Sequence, residues 1–135
     1  MYEWTHTTSS AAAPEQVWSL YEDVSRWLDW DSGLVDVTIS GGFAPGSTGT
    51  LTVEGQPPLA YVLTVVEEHR RFTDVTEIPG VATLTFDHVV EPAGSGSTIT
   101  HSVRIEGPAA IELGPMVTSD TPEAMERLAA LAGAS

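Results

Sequence analysis

Apolar and polar side chains alternate from Tyr2 to Ser10, and this period of two predicts a first β-strand rich in threonine and aromatic residues. The period then changes. Ala13-Pro14-Glu15-Gln16-Val17-Trp18 places proline at the first helical position and an acid in the first turn. Val17, Trp18, Tyr21 and Val24 recur at helical spacing, so a short helix is expected over about Pro14 to Tyr21, with a second near Ser25 to Trp30. From Leu34 the alternation returns, with Val35, Val37 and Ile39 between polar neighbours. Strands are then expected over Thr50–Glu54, Leu59–Glu68, Arg71–Ile78, Val81–Glu91 and Ser97–Glu106. Short Gly- and Pro-rich turns separate them, and Pro79-Gly80 is a type II turn pair. Strands joined this way form an antiparallel meander.

Beyond Gly107-Pro108 the helical period returns, interrupted at Pro115 and Pro122. Thr121-Pro122-Glu123 is a good helix start, and Met125, Leu128, Leu131 and Ala132 mark one apolar face. The order implies an α+β fold in which a curved seven-stranded antiparallel sheet wraps around a long C-terminal helix. Two short helices follow the first strand and plug one end. All 135 residues read as one domain. A strongly curved sheet leaves space beneath the helix, the natural place for a ligand.

Composition narrows the chemistry. There is no cysteine, which excludes thiol nucleophiles, disulfides and zinc–thiolate sites and makes a reducing cytoplasm the expected location. The N-terminal MYEWTHTT has neither a basic nor an apolar leader region, so no signal peptide is expected. Every basic residue is an arginine, namely Arg26, Arg70, Arg71, Arg104 and Arg127, so lysine chemistry is excluded. A net charge of -14 repels phosphate backbones and anionic bilayers, so neither nucleic acid nor membrane is an expected partner. A monomer and a homodimer are both compatible with the pattern. Gly46-Ser47-Thr48-Gly49 lacks the lysine and helix of a phosphate loop and reads as a turn or bulge.

Several stretches together resemble the START/Bet v 1-like helix-grip (SRPBCC) superfamily, in particular its bacterial polyketide cyclase/dehydrase-like branch. They are Ala13–Trp18, Asp23-Val24-Ser25-Arg26-Trp27-Leu28-Asp29-Trp30, Pro45–Thr50, Val65–Phe72, Gly96–Thr100 and Thr121–Leu128. The resemblance spans nearly the whole chain and implies the same helix-grip fold. It also implies an internal cavity for a small hydrophobic or aromatic, polyketide-like molecule. Members of this superfamily include aromatase/cyclases and hydrophobic-ligand carriers. The cyclases are thought to orient substrate with a cavity arginine. Here Arg104 should point outward, and only Arg71 could reach a pocket rim.

Alternation identifies the inner face. Pairing Pro92 with Ser97 sets Val90 opposite Ile99, His88 opposite His101, Phe86 opposite Val103 and Leu84 opposite Ile105. Two apolar sets then match without adjustment, and His88 and His101 lie side by side. Pairing Ile78 with Val81 around Pro79-Gly80 would bring Arg71, Thr73, Val75 and Glu77 inward, with Arg71 opposite His88. The resemblance implies that the first strand lies beside the last, so His6 joins the pair and Trp4 lies near it. His88 and His101 are the candidate proton-handling residues for cyclisation or dehydration, with Glu54 or Glu77 assisting if inward. Trp4, His6, Trp27, Trp30, Tyr61, Arg71, Phe86 and Val103 are the candidate ligand contacts. Neither a cofactor nor a metal is expected. A non-catalytic carrier or sensor of an apolar metabolite remains the alternative.

Overall fold

The computed structural model describes residues 1–134. Seven strands form one antiparallel sheet: β1 Tyr2–Ser10, β2 Leu34–Val37, β3 Thr48–Val53, β4 Leu59–Glu67, β5 Arg71–Ile78, β6 Ala82–Ala93 and β7 Gly96–Glu106. Their spatial order is β1-β7-β6-β5-β4-β3-β2, a meander whose first strand has crossed over to pair with the last. Between β1 and β2 lie α1 (Pro14–Glu22), a single 3-10 turn (Val24–Arg26) and α2 (Trp27–Trp30). α3 (Ala110–Thr118) and α4 (Thr121–Ala134) close the concave side. This is the expected helix-grip architecture.

Local chemistry explains the helix limits. Pro14 opens α1, and the Gln16 side chain returns to accept the Ala13 N–H at 2.8 Å. Pro115 does not break the chain. It sits inside α3, and the division falls later, at Ser119 and Asp120. Pro122 occupies the first turn of α4, where a missing N–H costs nothing.

The interior comprises two apolar clusters. Trp18, Tyr21, Trp27, Trp30, Phe72, Met125 and Leu128 dominate the larger, formed by α1, α2 and α4 against the middle of the sheet. The smaller gathers Leu84, Val103, Ile105 and Ala110, with Tyr2 and Trp4 packed against it. Aromatic rings fill much of the larger cluster. Phe72 lies 4.9 Å from Tyr21, 5.1 Å from Phe43 and 5.7 Å from Trp27, ring centre to ring centre.

One hairpin differs from its sequence reading. Ile78 pairs with Ala82, not Val81, so three residues connect β5 to β6. Gly80 has a φ of 76°, and the Val81 N–H returns to the Ile78 carbonyl at 2.9 Å, as a type II turn requires. That turn has the wrong twist to join two strands directly, so an extra residue enters the loop. A one-residue shift turns every side chain of a strand over. Phe72, Asp74, Thr76 and Ile78 therefore face inward. Arg71, Thr73, Val75 and Glu77 face outward, opposite to expectation.

Backbone proximity explains one glycine. A Cβ on Gly49 would lie 2.1 Å from the Thr38 carbonyl oxygen and 2.6 Å from the Tyr61 hydroxyl. Gly49→Ala is therefore expected to cost about 2 kcal/mol in chemical denaturation. Gly42→Ala, where a Cβ meets nothing within 4 Å, should stay within about 0.5 kcal/mol of the parent.

Candidate functional site

Register builds the site as parallel rows across the concave face. The first row reads His6, His101, His88 and Phe72 over β1, β7, β6 and β5. The second reads Trp4, Val103, Phe86, Asp74 and Leu63, ending on β4. The third reads Tyr2, Ile105, Leu84 and Thr76. Three histidines and a carboxyl thus stand on adjacent strands inside an apolar shell.

Helices and strand geometry fix the polar groups. Tyr21, on the buried face of α1, places its hydroxyl 2.7 Å from His101 Nε2. Burial holds the phenol well above its ordinary range, so it remains protonated and shares a hydrogen bond with the ring nitrogen. The His101 imidazole is pushed well below its usual range, by burial first and then by His88 and His6. His88 lies face to face with Phe72 at 3.9 Å and edge-on to His101 at 4.6 Å. Its Nδ1 lies 3.2 Å from the Phe72 carbonyl. A carbonyl only accepts, so Nδ1 carries the proton of the neutral ring and Nε2 keeps a lone pair. Burial lowers the His88 pKa from 6.5 to about 4.

Asp74 is the residue that the sequence reading missed. It is 3% exposed and has no arginine partner, and its nearest ionic neighbour is His88 Nδ1 at 3.9 Å. Burial raises its pKa to about 8. At neutral pH this pair therefore holds one proton on the acid and none beyond the neutral ring. Thr76 is 2% exposed, and its hydroxyl has no hydrogen-bond partner among the described residues.

The sequence candidates divide clearly. His6, His88, His101, Trp4, Phe86 and Val103 share the first two rows, and the rings of Trp4 and His6 stack at 5.8 Å. Trp4, His6 and Phe86 face inward yet keep some exposure, so the helices leave this part of the sheet incompletely covered, while the His88 side chain beside them is 12% exposed. Trp27 and Trp30 are buried, and their indole N–H groups donate to the Tyr21 and Leu20 carbonyls at 2.8 and 3.2 Å. They form the plug at the end of the sheet. Tyr61 faces inward, but its hydroxyl donates to the Thr38 carbonyl at 2.6 Å. Burial, then Asp74, pushes its pKa up to about 12. Arg71 lies on the convex face and donates from Nε to Asp87 Oδ1 at 2.9 Å. A convex groove of about 310 Å³ surrounds that pair, on the side of the sheet away from the histidines. Glu77 is exposed on the outer face and Glu54 is exposed beyond β3, so neither assists the histidines. Among the described residues, no group of three or more His, Asp or Glu side chains is placed to hold a metal ion. None of the described helices is long and apolar enough to cross a membrane.

A family model described as polyketide cyclase / dehydrase and lipid transport matches residues 1–133, and the chain belongs to that family. Solved structures with the same fold include Ara h 8.0201, at 13% identity over 99% of both chains with a TM-score of 0.77. CalU16 from Micromonospora echinospora shares 15% identity over 96% of this chain and 75% of its own, with a TM-score of 0.72. DynU16, a protein of the dynemicin biosynthetic locus, shares 16% identity over 95% of this chain and 46% of its own, with a TM-score of 0.74. No curated protein matches in sequence.

Two expectations follow from the geometry. Arg71→Ala should leave uptake of a hydrophobic dye unchanged, and loss of its partly exposed ion pair should cost no more than about 1 kcal/mol in denaturant titration. The second concerns pH. The folded-state pKa of Asp74 is raised, so its contribution to stability is full below the unfolded value of 3.8 and is lost as pH rises through about 8. That of His88 is lowered, so its contribution is present above 6.5 and lost as pH falls through about 4. The two slopes oppose one another between those limits, and His101 adds to the acid-side loss. Between pH 6.5 and 8 only the Asp74 slope remains, and stability should fall there by about 2 kcal/mol. Denaturant melts of the parent and of Asp74→Asn across that window should show the fall only in the parent.

Proposed function

We propose that the chain binds a small hydrophobic or aromatic molecule through the opening over Trp4, His6 and Phe86, and that His88 and His101 handle a proton of that molecule. The observation that carries this reading is the row of three histidines set beside Asp74 inside an aromatic shell. Burying so many polar groups is costly unless they meet a partner. Family membership supports a small organic ligand, and the reaction best matched to the groups is cyclisation or dehydration of a polyketide-like carbonyl compound. His88 Nε2, with its free lone pair, takes the proton from the carbon next to the carbonyl. Tyr21 holds His101 in position, and apolar walls align the chain, so orientation supplies much of the rate. A base with a pKa of about 4 is weak at neutral pH. Its strength rises when a developing negative charge on the ligand stabilises the imidazolium. No redox cofactor is needed for this chemistry.

A carrier or sensor is the second reading, favoured by one observation. Burial pushes the imidazoles of both His88 and His101 down, so they suit the role of neutral hydrogen-bond anchors that hold a ligand without moving a proton. Variants separate the two. His88→Gln should lower turnover of a polyketide-like substrate by at least about a hundredfold while leaving its Kd within about threefold, because an amide keeps the shape and loses the base. Equal loss of binding and turnover, measured by single-turnover kinetics and equilibrium titration, would favour the carrier.

A further inference from the structure

We infer that Asp74 and Thr76 form an oxygen-anchoring subsite that selects an uncharged carbonyl- or hydroxyl-bearing ligand and rejects carboxylates. The inference rests on the ligand-binding reading above and names the kind of ligand it admits.

Both side chains project from the inner face of β5, two positions apart along a strand in which alternate side chains share a face. Both are more than nine-tenths buried. The Thr76 hydroxyl has no hydrogen-bond partner among the described residues, and the Asp74 carboxyl lies 3.9 Å from His88 Nδ1. Buried polar atoms are almost always satisfied, and an orphan hydroxyl on the same strand face as a buried acid points to a group supplied from outside the chain. Half-buried Trp4 and Phe86 stand in the Asp74 row, so the subsite adjoins the opening.

The chemical class follows from what the interior lacks. No lysine exists, and the arginines lie on the surface, so no fixed cation awaits an anionic headgroup. The ionisable groups facing Asp74 are Tyr61 on β4, His88 on β6 and, further along that row, His101 on β7 and His6 on β1; Tyr21 approaches the histidines from α1. Buried, Asp74 remains protonated below about pH 8 and can donate to a ligand oxygen. Thr76 can donate a second bond or accept one from a ligand hydroxyl. A carboxylate would instead carry a charge into an apolar wall with no cation to offset it, in a molecule of net charge -14.

The test uses four probes of similar shape: butylbenzene, benzylacetone, hydrocinnamate and phenylpropylamine. Binding to the full chain is followed by calorimetry at pH 6.5 and pH 9. Benzylacetone should bind at least tenfold more tightly than hydrocinnamate at pH 6.5 and weaken at pH 9. In Asp74→Asn that weakening should vanish. Thr76→Val should weaken benzylacetone about tenfold, leave butylbenzene unchanged and leave the protein at least as stable as the parent, because the hydroxyl removed had no partner. Tightest binding by phenylpropylamine, equal binding of all four, or destabilisation by Thr76→Val would overturn the inference while leaving ligand binding standing. Failure of every probe, butylbenzene included, would overturn the ligand-binding reading and the inference with it.

Discussion

The chemistry of the interior hangs on the connection between β5 and β6. Pro79, Gly80 and Val81 form a loop of three residues, and its length decides which side of β5 faces the helices. With this loop, Phe72 stacks beneath His88 and Asp74 comes within ion-pair range of the same ring. With a loop one residue shorter, an arginine and a glutamate would enter the core and the phenylalanine would face water. The hydrophobic cost of exposing Phe72 and burying Arg71 makes that alternative untenable. The loop and the apolar pattern of β5 therefore agree, and such agreement between local and global preference specifies one register.

From that register follows a division of labour within the concave face. The end covered by α1, α2 and α4 is packed with rings, and its polar atoms are committed: two indoles to backbone carbonyls, Tyr61 to Thr38, Tyr21 to His101. Between that end and the smaller cluster under α3, inward-facing Trp4, His6 and Phe86 keep some exposure. His88, Asp74 and the Thr76 hydroxyl, which has no hydrogen-bond partner among the described residues, lie beside these partly exposed positions. A satisfied end beside a less satisfied one suits the proposed site, since fixed neighbours can hold polar groups in place without consuming them.

Much of this was legible in the amino-acid sequence. The seven strands and the short helices followed from periodicity and turn residues. The β6–β7 register followed from two apolar sets that match only one way, which is why His88 opposite His101 could be read directly. β5 was harder because both of its faces carry apolar residues, Phe72 and Ile78 on one and Val75 on the other, so alternation alone left its facing to the turn. The turn pair was recognised, but its twist requires a third loop residue. Asp74 and Thr76 were lost with that slip, and Arg71 was gained wrongly. Tyr21 was read as a helical core position. Its bond to His101, eighty residues away in sequence, depends on how α1 docks on the sheet, which no local pattern encodes.

The central claim is that the first row of the concave face is where a ligand lies, and the four histidines supply a direct test with an internal control. His6, His88 and His101 form that row, whereas His69 stands in the turn before β5 with a φ of 63°. Histidine ring resonances should be recorded by NMR while a fluorescent anilinonaphthalene probe is titrated into the protein. The account predicts saturable shifts at His88 and His101, with His6 following and His69 unmoved. Shifts confined to His69, or none at any histidine while the probe binds, would contradict it.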